Sequence, residues 1–316
     1  ITFSTFKISY FEGTGPLENE SLIIIPEGSS VSKASSILAN EGIISYRANK
    51  WRLFKIAYYL FFPGESFKAG EYRFEPRIST RKVLEKLTSG DVNYRKLTLP
   101  EGLTTKQILQ LVSEAEGLEG EIPGDIKEGE LLPETYLYTL AESRKDLVKR
   151  MYVKRYQVLD TLWANRAMGL PIKTKEEAII VASIVEKETS IPEERPIVAA
   201  VYLNRIKKGM KLQADPTVVY AVTMGKEELE RELTNKDLKK NSKYNTYRYK
   251  GLPPGPICNP GEASIAAVLH PADTDYLYFV ADGAGGHNFA RNVTEHNRNV
   301  RDYRAQKRRD KLATSP

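Results

Sequence analysis

The chain has 316 residues, a length that suggests about two domains. Hydrophobic residues make up 41% and charged residues 28%, which excludes a disordered tail, a collagen-like fibre and a disulfide-stapled miniprotein and leaves apolar material for two cores. Of the net charge of +6, residues 301–316 supply +4 (six basic, two acidic), so the body is close to neutral and lacks the basic stripe a nucleic-acid binder needs.

The lone cysteine, Cys258, excludes an intramolecular disulfide. The longest apolar runs, 22–25, 56–62 and 178–185, fall well short of the ~18–20 residues that span a bilayer. No signal peptide is visible. The chain opens at Ile1 rather than Met and runs straight into Thr-Phe-Ser-Thr-Phe, which reads as trimming at the amino end and leaves room for an anchor before it.

An internal repeat comes first. Ser21-Leu-Ile-Ile-Ile-Pro-Glu-Gly28 matches Arg95-Lys-Leu-Thr-Leu-Pro-Glu-Gly102, each a β-rich run closed by Pro-Glu-Gly. A helix-period segment follows each: Val31, Ala34, Ile37 and Leu38 stopping at Glu41-Gly42, then Ile108, Leu111 and Val112 stopping at Glu116-Gly117. Between them, Tyr72-Arg-Phe-Glu-Pro76 precedes a helix over 80–87 that stops at Gly90. A further helix is expected over 47–60, where Trp51, Phe54, Tyr58 and Tyr59 form a stripe that reads as core. Residues 20–95 thus read as a small α+β module.

From about residue 130 the texture turns to long helices, expected over 143–166, 174–189 and 193–208. The second opens with Thr174 as N-cap and Glu177 as N3 of a capping box. Beyond Lys243 comes a stiffened loop, Gly251-Leu-Pro-Pro-Gly-Pro-Ile257, where three prolines and two glycines forbid a helix or a central strand. A short helix over 262–269 and a strand over 276–280 follow, and the basic end reads as a solvated helix terminus.

The 174–189 helix carries the most chemical information. Val181, Ile184, Val185 and Glu188 share one face at i, i+3, i+4 and i+7, so Glu188 ends an apolar stripe. Glu186 points about 200° away, with Ile179, Ala182 and Ser183. Desolvation and the helix C-terminus both favour the neutral carboxyl, as a general acid for glycoside cleavage requires. The helix alone leaves open a structural alternative: a glutamate paired with an arginine or a buried hydroxyl. The three histidines, His270, His287 and His296, lie in separate segments without metal-ligand spacing, and Asp282-Gly-Ala-Gly-Gly286 does not lead into a helix as a phosphate cradle should. No nucleophile elbow is present. Gln213, Asp215, Tyr220, Tyr244, Asn245, Tyr247 and Asn259 gather around the Pro-rich loop in sequence and offer the aromatic faces and amides that sugars need, or equally core cover.

Several stretches together resemble a known family, the endolytic murein transglycosylases of the MltG (YceG-like) type. They are Ala182-Ser-Ile-Val-Glu-Lys-Glu-Thr189, Val201-Tyr-Leu-Asn-Arg205, Leu212-Gln-Ala-Asp-Pro-Thr-Val218, Tyr244-Asn-Thr-Tyr247, the 251–257 loop, Asn259-Pro-Gly261, His270-Pro271, Tyr276-Leu-Tyr-Phe-Val-Ala-Asp-Gly283 and Gly286-His287. Leu132-Pro-Glu-Thr-Tyr136 and the Pro-Glu-Gly repeats extend the likeness over nearly the whole chain.

The resemblance implies an α+β protein with a LysM-like glycan-binding module over 21–95 and a mostly helical, lysozyme-like catalytic domain over 96–316 carrying a small β element. Residues 1–20 would then be a juxtamembrane stub. The implied enzyme is a lyase that cuts glycan strands between N-acetylmuramic acid and N-acetylglucosamine, leaves 1,6-anhydro-muramic ends and needs no cofactor or metal. It also implies a single-pass anchor in the bacterial inner membrane, a periplasmic (or, in a Gram-positive cell, external) catalytic domain and cell-wall synthases such as penicillin-binding proteins as partners. The family's catalytic glutamate falls on Glu188. By analogy Gln213, Asp215, Tyr220, Tyr244, Asn245, Thr246, Tyr247, Pro254, Gly255, Ile257 and Asn259 are assigned to the glycan groove. Cys258 departs from the small residue expected there. A non-catalytic glycan-binding scaffold and a muramidase that uses water are the competing readings, the latter requiring a second carboxylate, first of all Asp215.

Overall fold

In a computed structural model the described residues are 10–45 and 50–313, with side-chain surroundings described over 10–45 and 52–309. They separate into two compact units, the first built from 10–45, 50–96, 116–119 and 137–142 and the second from 97–115, 120–136 and 143–313.

In the first unit β1 (Ser21–Ile25) pairs antiparallel with β2 (Gly70–Phe74), Ile23 opposite Tyr72. Alternation turns Ile23 and Ile25 inward and leaves Leu22 and Ile24 outside. Three helices cover the inner face: α1 (Val31–Asn40), α2 (Lys50–Phe61) and α3 (Thr80–Ser89). Ser30 and Ser79 cap α1 and α3 by accepting from the backbone N–H three residues on, and Gly90 ends α3 with φ +78°. Val83, Leu84 and Leu87 are fully buried, each worth roughly 1.5–3 kcal/mol of transfer free energy. The aromatic stripe of α2 divides: Phe54 and Tyr58 enter the core, Tyr59 is 63% exposed, and the side chain of Trp51 lies outside the described residues. Tyr59 departs from the expected core because it sits one residue, or 100°, past Tyr58.

β3 (Arg95–Thr98) pairs with β4 (Thr135–Tyr138). The second unit is mostly helical, with α4 (Thr105–Glu114), α5 (Arg144–Ala164), α6 (Lys175–Glu188), α7 (Arg195–Lys207), α8 (Asp215–Thr223), α9 (Asn235–Leu238), α10 (Glu262–Leu269) and α11 (Val293–Ala313). One antiparallel pair, β5 (Tyr278–Ala281) with β6 (His287–Ala290), completes it.

Helix α6 is the centre. Residues Ala178 to Val185 are all buried, so the helix is apolar all round and is enclosed by α7, α8 and α10. Thr174 caps it, accepting from Glu177 N–H at 3.2 Å. The Glu177 carboxylate takes Lys173 N–H instead of completing the expected box. At the far end α6 stops where Glu188 becomes half-buried, while Thr189 beyond it stays buried. Helix α7 begins two residues later than its pattern suggests, since Glu194 is drawn into other bonds and Pro196 suits a first turn.

Candidate active site

Glu188 opens onto a cleft of about 540 Å³, within the range of small-ligand sites. The last turn of α6 supplies Lys187 and Glu188. Gly102, Leu103, Thr104 and Gln107 come from the turn into α4, and Asp215, Val219 and Tyr220 from α8. Gly225, Glu227, Glu228, Leu229 and Ile257 close it.

The Glu188 carboxyl is partly buried, and one of its oxygens is fixed. Tyr202 of α7, 1% exposed, donates its hydroxyl to Glu188 Oε1 at 2.5 Å. Burial pushes the Glu188 carboxyl up to about 7, against the Tyr202 bond that lowers it. The nearby Asp215 charge adds to the rise, and His287 and Arg205 oppose it. Burial, then the Glu188 charge, hold the Tyr202 hydroxyl well above its ordinary value, so it stays a donor. Asp215 stands at the first turn of α8, where its Oδ1 accepts from Tyr247 Oη at 2.5 Å. Burial and that bond raise the Tyr247 phenol.

The two glutamates of α6 have different fates. Glu186 accepts from Gly261 N–H at 2.9 Å and lies 3.8 Å from Arg195, which also approaches Glu101 at 3.5 Å. It is the structural, arginine-paired acid. A Cβ at Gly261 would meet the Glu101 side chain, which would have to move aside. The turn of Pro100, Glu101 and Gly102 thus packs beside the end of α6, with Lys187 Nζ bonding the Gly102 carbonyl at 3.4 Å.

On the other side Glu194 gathers three donors: the His287 ring at 2.7 Å, the His287 N–H at 2.8 Å and the Thr189 hydroxyl at 3.1 Å. Burial works against this carboxylate, but the His287 bonds outweigh it and bring it below the usual range. The His287 ring meets Phe279 edge-on at 5.2 Å, and Phe279 meets Tyr202 edge-on at 6.0 Å. His287, Phe279 and Tyr202 therefore form a packed row behind Glu188.

Of the residues assigned from sequence, Glu188, Asp215, Tyr220 and Ile257 line the cleft together. Tyr247 bonds Asp215, and the Tyr244 ring packs on Tyr220 with centroids 4.8 Å apart. Gln213 is exposed with φ +49°, just before α8. Pro254 is exposed and Gly255 lies against the Tyr244 hydroxyl, neither at the cleft lining. Asn245, Thr246 and Asn259 are 0–2% exposed and fully engaged inside. Asn245 holds the Leu238 and Lys240 carbonyls. Thr246 Oγ1 takes Ala214 N–H and pairs with the Thr217 hydroxyl. Asn259 joins Leu131, Leu103, Thr105 and Glu128. These three brace the loops and do not face the cleft. Cys258 is buried and its thiol donates to the Ser183 carbonyl, with burial raising it well above its ordinary value.

Lys187, Gln107, Glu194, His287 and Tyr202 were not assigned from sequence. Tyr202 had a signal: a phenol inside the aliphatic run 197–203 must find a buried partner. Among the described residues no three His, Cys, Asp or Glu side chains are placed to hold a metal ion, and no helix is long and apolar enough to cross a membrane.

Known proteins bear on this arrangement. A protein of Bacillus subtilis named endolytic murein transglycosylase is 32% identical over 92% of this chain and 88% of its own length. One of the same name from Streptococcus pneumoniae is 29% identical over 88% of this chain, which spans only 57% of that longer protein. A crystal structure of a YceG-like protein from Listeria monocytogenes superposes with a TM-score of 0.53 at 29% identity, covering 89% of this chain and 98% of that one. The model of the YceG-like family matches residues 23–302, and the chain belongs to that family.

Proposed function

We propose that this chain is a lyase, an endolytic transglycosylase that cleaves peptidoglycan glycan strands between N-acetylmuramic acid and N-acetylglucosamine, acting on nascent glycan to end its elongation. The observation that carries this reading is Glu188, a carboxyl held near neutral pKa at the edge of a sugar-sized cleft. The names of the B. subtilis and S. pneumoniae relatives support it.

Glu188 first gives its proton to the glycosidic oxygen, and the bond from that oxygen to C1 of the muramic ring breaks. Nearby dipoles and the substrate's own acetamido group stabilise the oxocarbenium-like charge. The muramic O6 then closes on C1 and returns its proton to the Glu188 carboxylate. Only proton transfer is asked of the protein, so the chemistry calls for no cofactor. A group near pKa 7 suits both halves, being comparably ready to give and to take a proton. Asp215, Tyr220, Tyr244, Tyr247 and Ile257 flank the strand, while Asn245, Thr246 and Asn259 brace the loops behind the cleft and Gln213, Pro254 and Gly255 stand outside its lining.

Residues 21–95 are assigned as a LysM-like glycan-binding module and 96–316 as the catalytic domain. Residues 1–20 would link to a single membrane anchor, with catalysis outside the cytoplasmic membrane beside cell-wall synthases. A second reading has one observation in its favour: Asp215 shares the cleft, and a muramidase using water would need such a second carboxylate.

The test is release of soluble muropeptides from purified peptidoglycan by the wild type and by Glu188→Gln. Cleavage by the first alone is expected. Equal cleavage by both, or none by either, overturns the assignment of Glu188.

A further inference from the structure

The bonds around Glu188 distinguish its two oxygens. Oε1 faces the interior, where it accepts from a hydroxyl that is itself 1% exposed. That hydroxyl cannot turn away cheaply: its ring packs edge-on against Phe279, and among the described residues the Glu188 carboxyl is its one hydrogen-bond partner. Oε1 is therefore occupied as an acceptor, and a proton on Glu188 finds its place on Oε2, the oxygen left to the cleft.

We propose that Tyr202 is a positioning residue for the reaction, assigning the transferable proton to Glu188 Oε2 and stabilising the carboxylate when that proton leaves. This rests on the proposed role of Glu188 as acid and base. When Glu188 is neutral, the Tyr202 bond is an ordinary hydroxyl–carbonyl contact. When Glu188 gives its proton to the glycosidic oxygen, negative charge appears on the carboxyl and the same bond becomes charge-assisted, shorter and about twice as strong. The gain is realised only as the transition state forms, which is the condition for an interaction to raise the rate rather than tighten ground-state binding. Because Tyr202 lies on the opposite oxygen from the substrate, it can do this without touching the glycan.

No other side chain is recorded as bonding Glu188 among the described residues. His287 and Arg205 act on it only through charge: His287 is held by Glu194, and Arg205 by the carbonyls of Leu277 and Leu212. Asp215 acts in the opposite sense and is held by Tyr247. Tyr202 alone is thus placed to fix the orientation of the carboxyl as well as its proton affinity.

The experiment uses the full chain with Tyr202→Phe, Phe279→Leu and 3-fluorotyrosine installed at position 202. Two readouts are taken: the pH dependence of kcat on purified peptidoglycan, and titration of the Glu188 carboxyl by carbon NMR. Loss of the hydroxyl should move the Glu188 titration and the alkaline limb of kcat upward by about one pH unit and lower kcat roughly tenfold, with KM little changed. The more acidic fluorophenol should move the titration down. Phe279→Leu, which takes the wedge from the Tyr202 ring, should lower thermal stability and move the titration in the same direction as Tyr202→Phe, by a smaller amount. If Tyr202→Phe folds and titrates like the wild type, or if the fluorophenol leaves the titration unmoved, the proposal is overturned; the fluorophenol decides the matter if Tyr202→Phe does not fold. The NMR titration needs no turnover, so an inactive wild type would sink the proposed function and still leave the Tyr202 bond tested.

Discussion

Replacing Asn259 with alanine should unfold the catalytic unit more readily and leave glycan affinity of the folded protein nearly unchanged. The Asn259 amide accepts from Leu131 N–H at 2.9 Å and donates to the Leu103 carbonyl at 3.1 Å, Thr105 Oγ1 at 3.0 Å and Glu128 Oε1 at 3.1 Å. Leu103 still receives Asn259 N–H in the variant, and Thr105 and Glu128 still bond each other. The certain orphan is Leu131 N–H, in a residue that is fully buried. One stranded buried donor costs about 1–3 kcal/mol, and the weakened bonding of Glu128 adds about 1–2 more, giving a total near 3–4 kcal/mol. With a urea slope of about 2–3 kcal/mol per molar for a domain of this size, the midpoint should fall by roughly 1–2 M. Equilibrium urea unfolding followed by Trp163 fluorescence in a Trp51→Phe background reads this directly, beside glycan pull-down under native conditions. An unchanged midpoint with weakened glycan binding would refute the reasoning and return Asn259 to the groove.

Three further outcomes follow from the same structure. Glu188→Gln should be more stable than the wild type at about pH 8 by up to ~3 kcal/mol, and equal to it below about pH 4. The sign follows because a carboxyl raised in the folded state binds protons more tightly there than when unfolded, so stability falls as pH rises from the unfolded value to about 7. Thermal melts across pH check it, and parallel curves for the two proteins would contradict it. Glu194→Gln, whose carboxylate is lowered in the folded state, should lose roughly 1–2 kcal/mol at neutral pH, with the loss vanishing in acid as the wild-type group protonates; melting temperatures at two pH values decide. Gly261→Ala should lose about 1–3 kcal/mol by forcing Glu101 aside, measured by urea unfolding, and a neutral result would mean the turn yields freely.

Much of this fold was legible because local rules and packing agree. The 262–269 helix is found at the expected residues, bounded by Gly261 and His270. The β1 and α1 pattern follows its alternation and its serine cap. Two elements go unread. No element is expected over 215–223, where helix α8 forms, although Asp215 and Pro216 both suit a first helical turn. Strand β6 hides behind the 283–286 glycines, and its register with β5 is a tertiary choice.

The site was legible in part. Helical phase singles out Glu188 as an acid at the end of an apolar stripe, and the fold places it on the cleft. Phase could not say that Glu186 would meet Arg195 while Glu188 met a tyrosine, because both partners come from α7. The amides near the Pro-rich loop look like sugar-binding groups, but Asn245 and Asn259 spend their bonds on backbone and neighbouring side chains. Long loops leave backbone groups to satisfy, and short polar side chains do so.

The most direct test of the central claim is digestion of peptidoglycan in water enriched in oxygen-18, with mass spectrometry of the new muramic ends. The account predicts anhydro ends carrying no heavy oxygen, formed by the wild type and absent with Glu188→Gln. Reducing ends that carry the label would contradict it and would make the protein a hydrolase, with Asp215 the first carboxylate to examine.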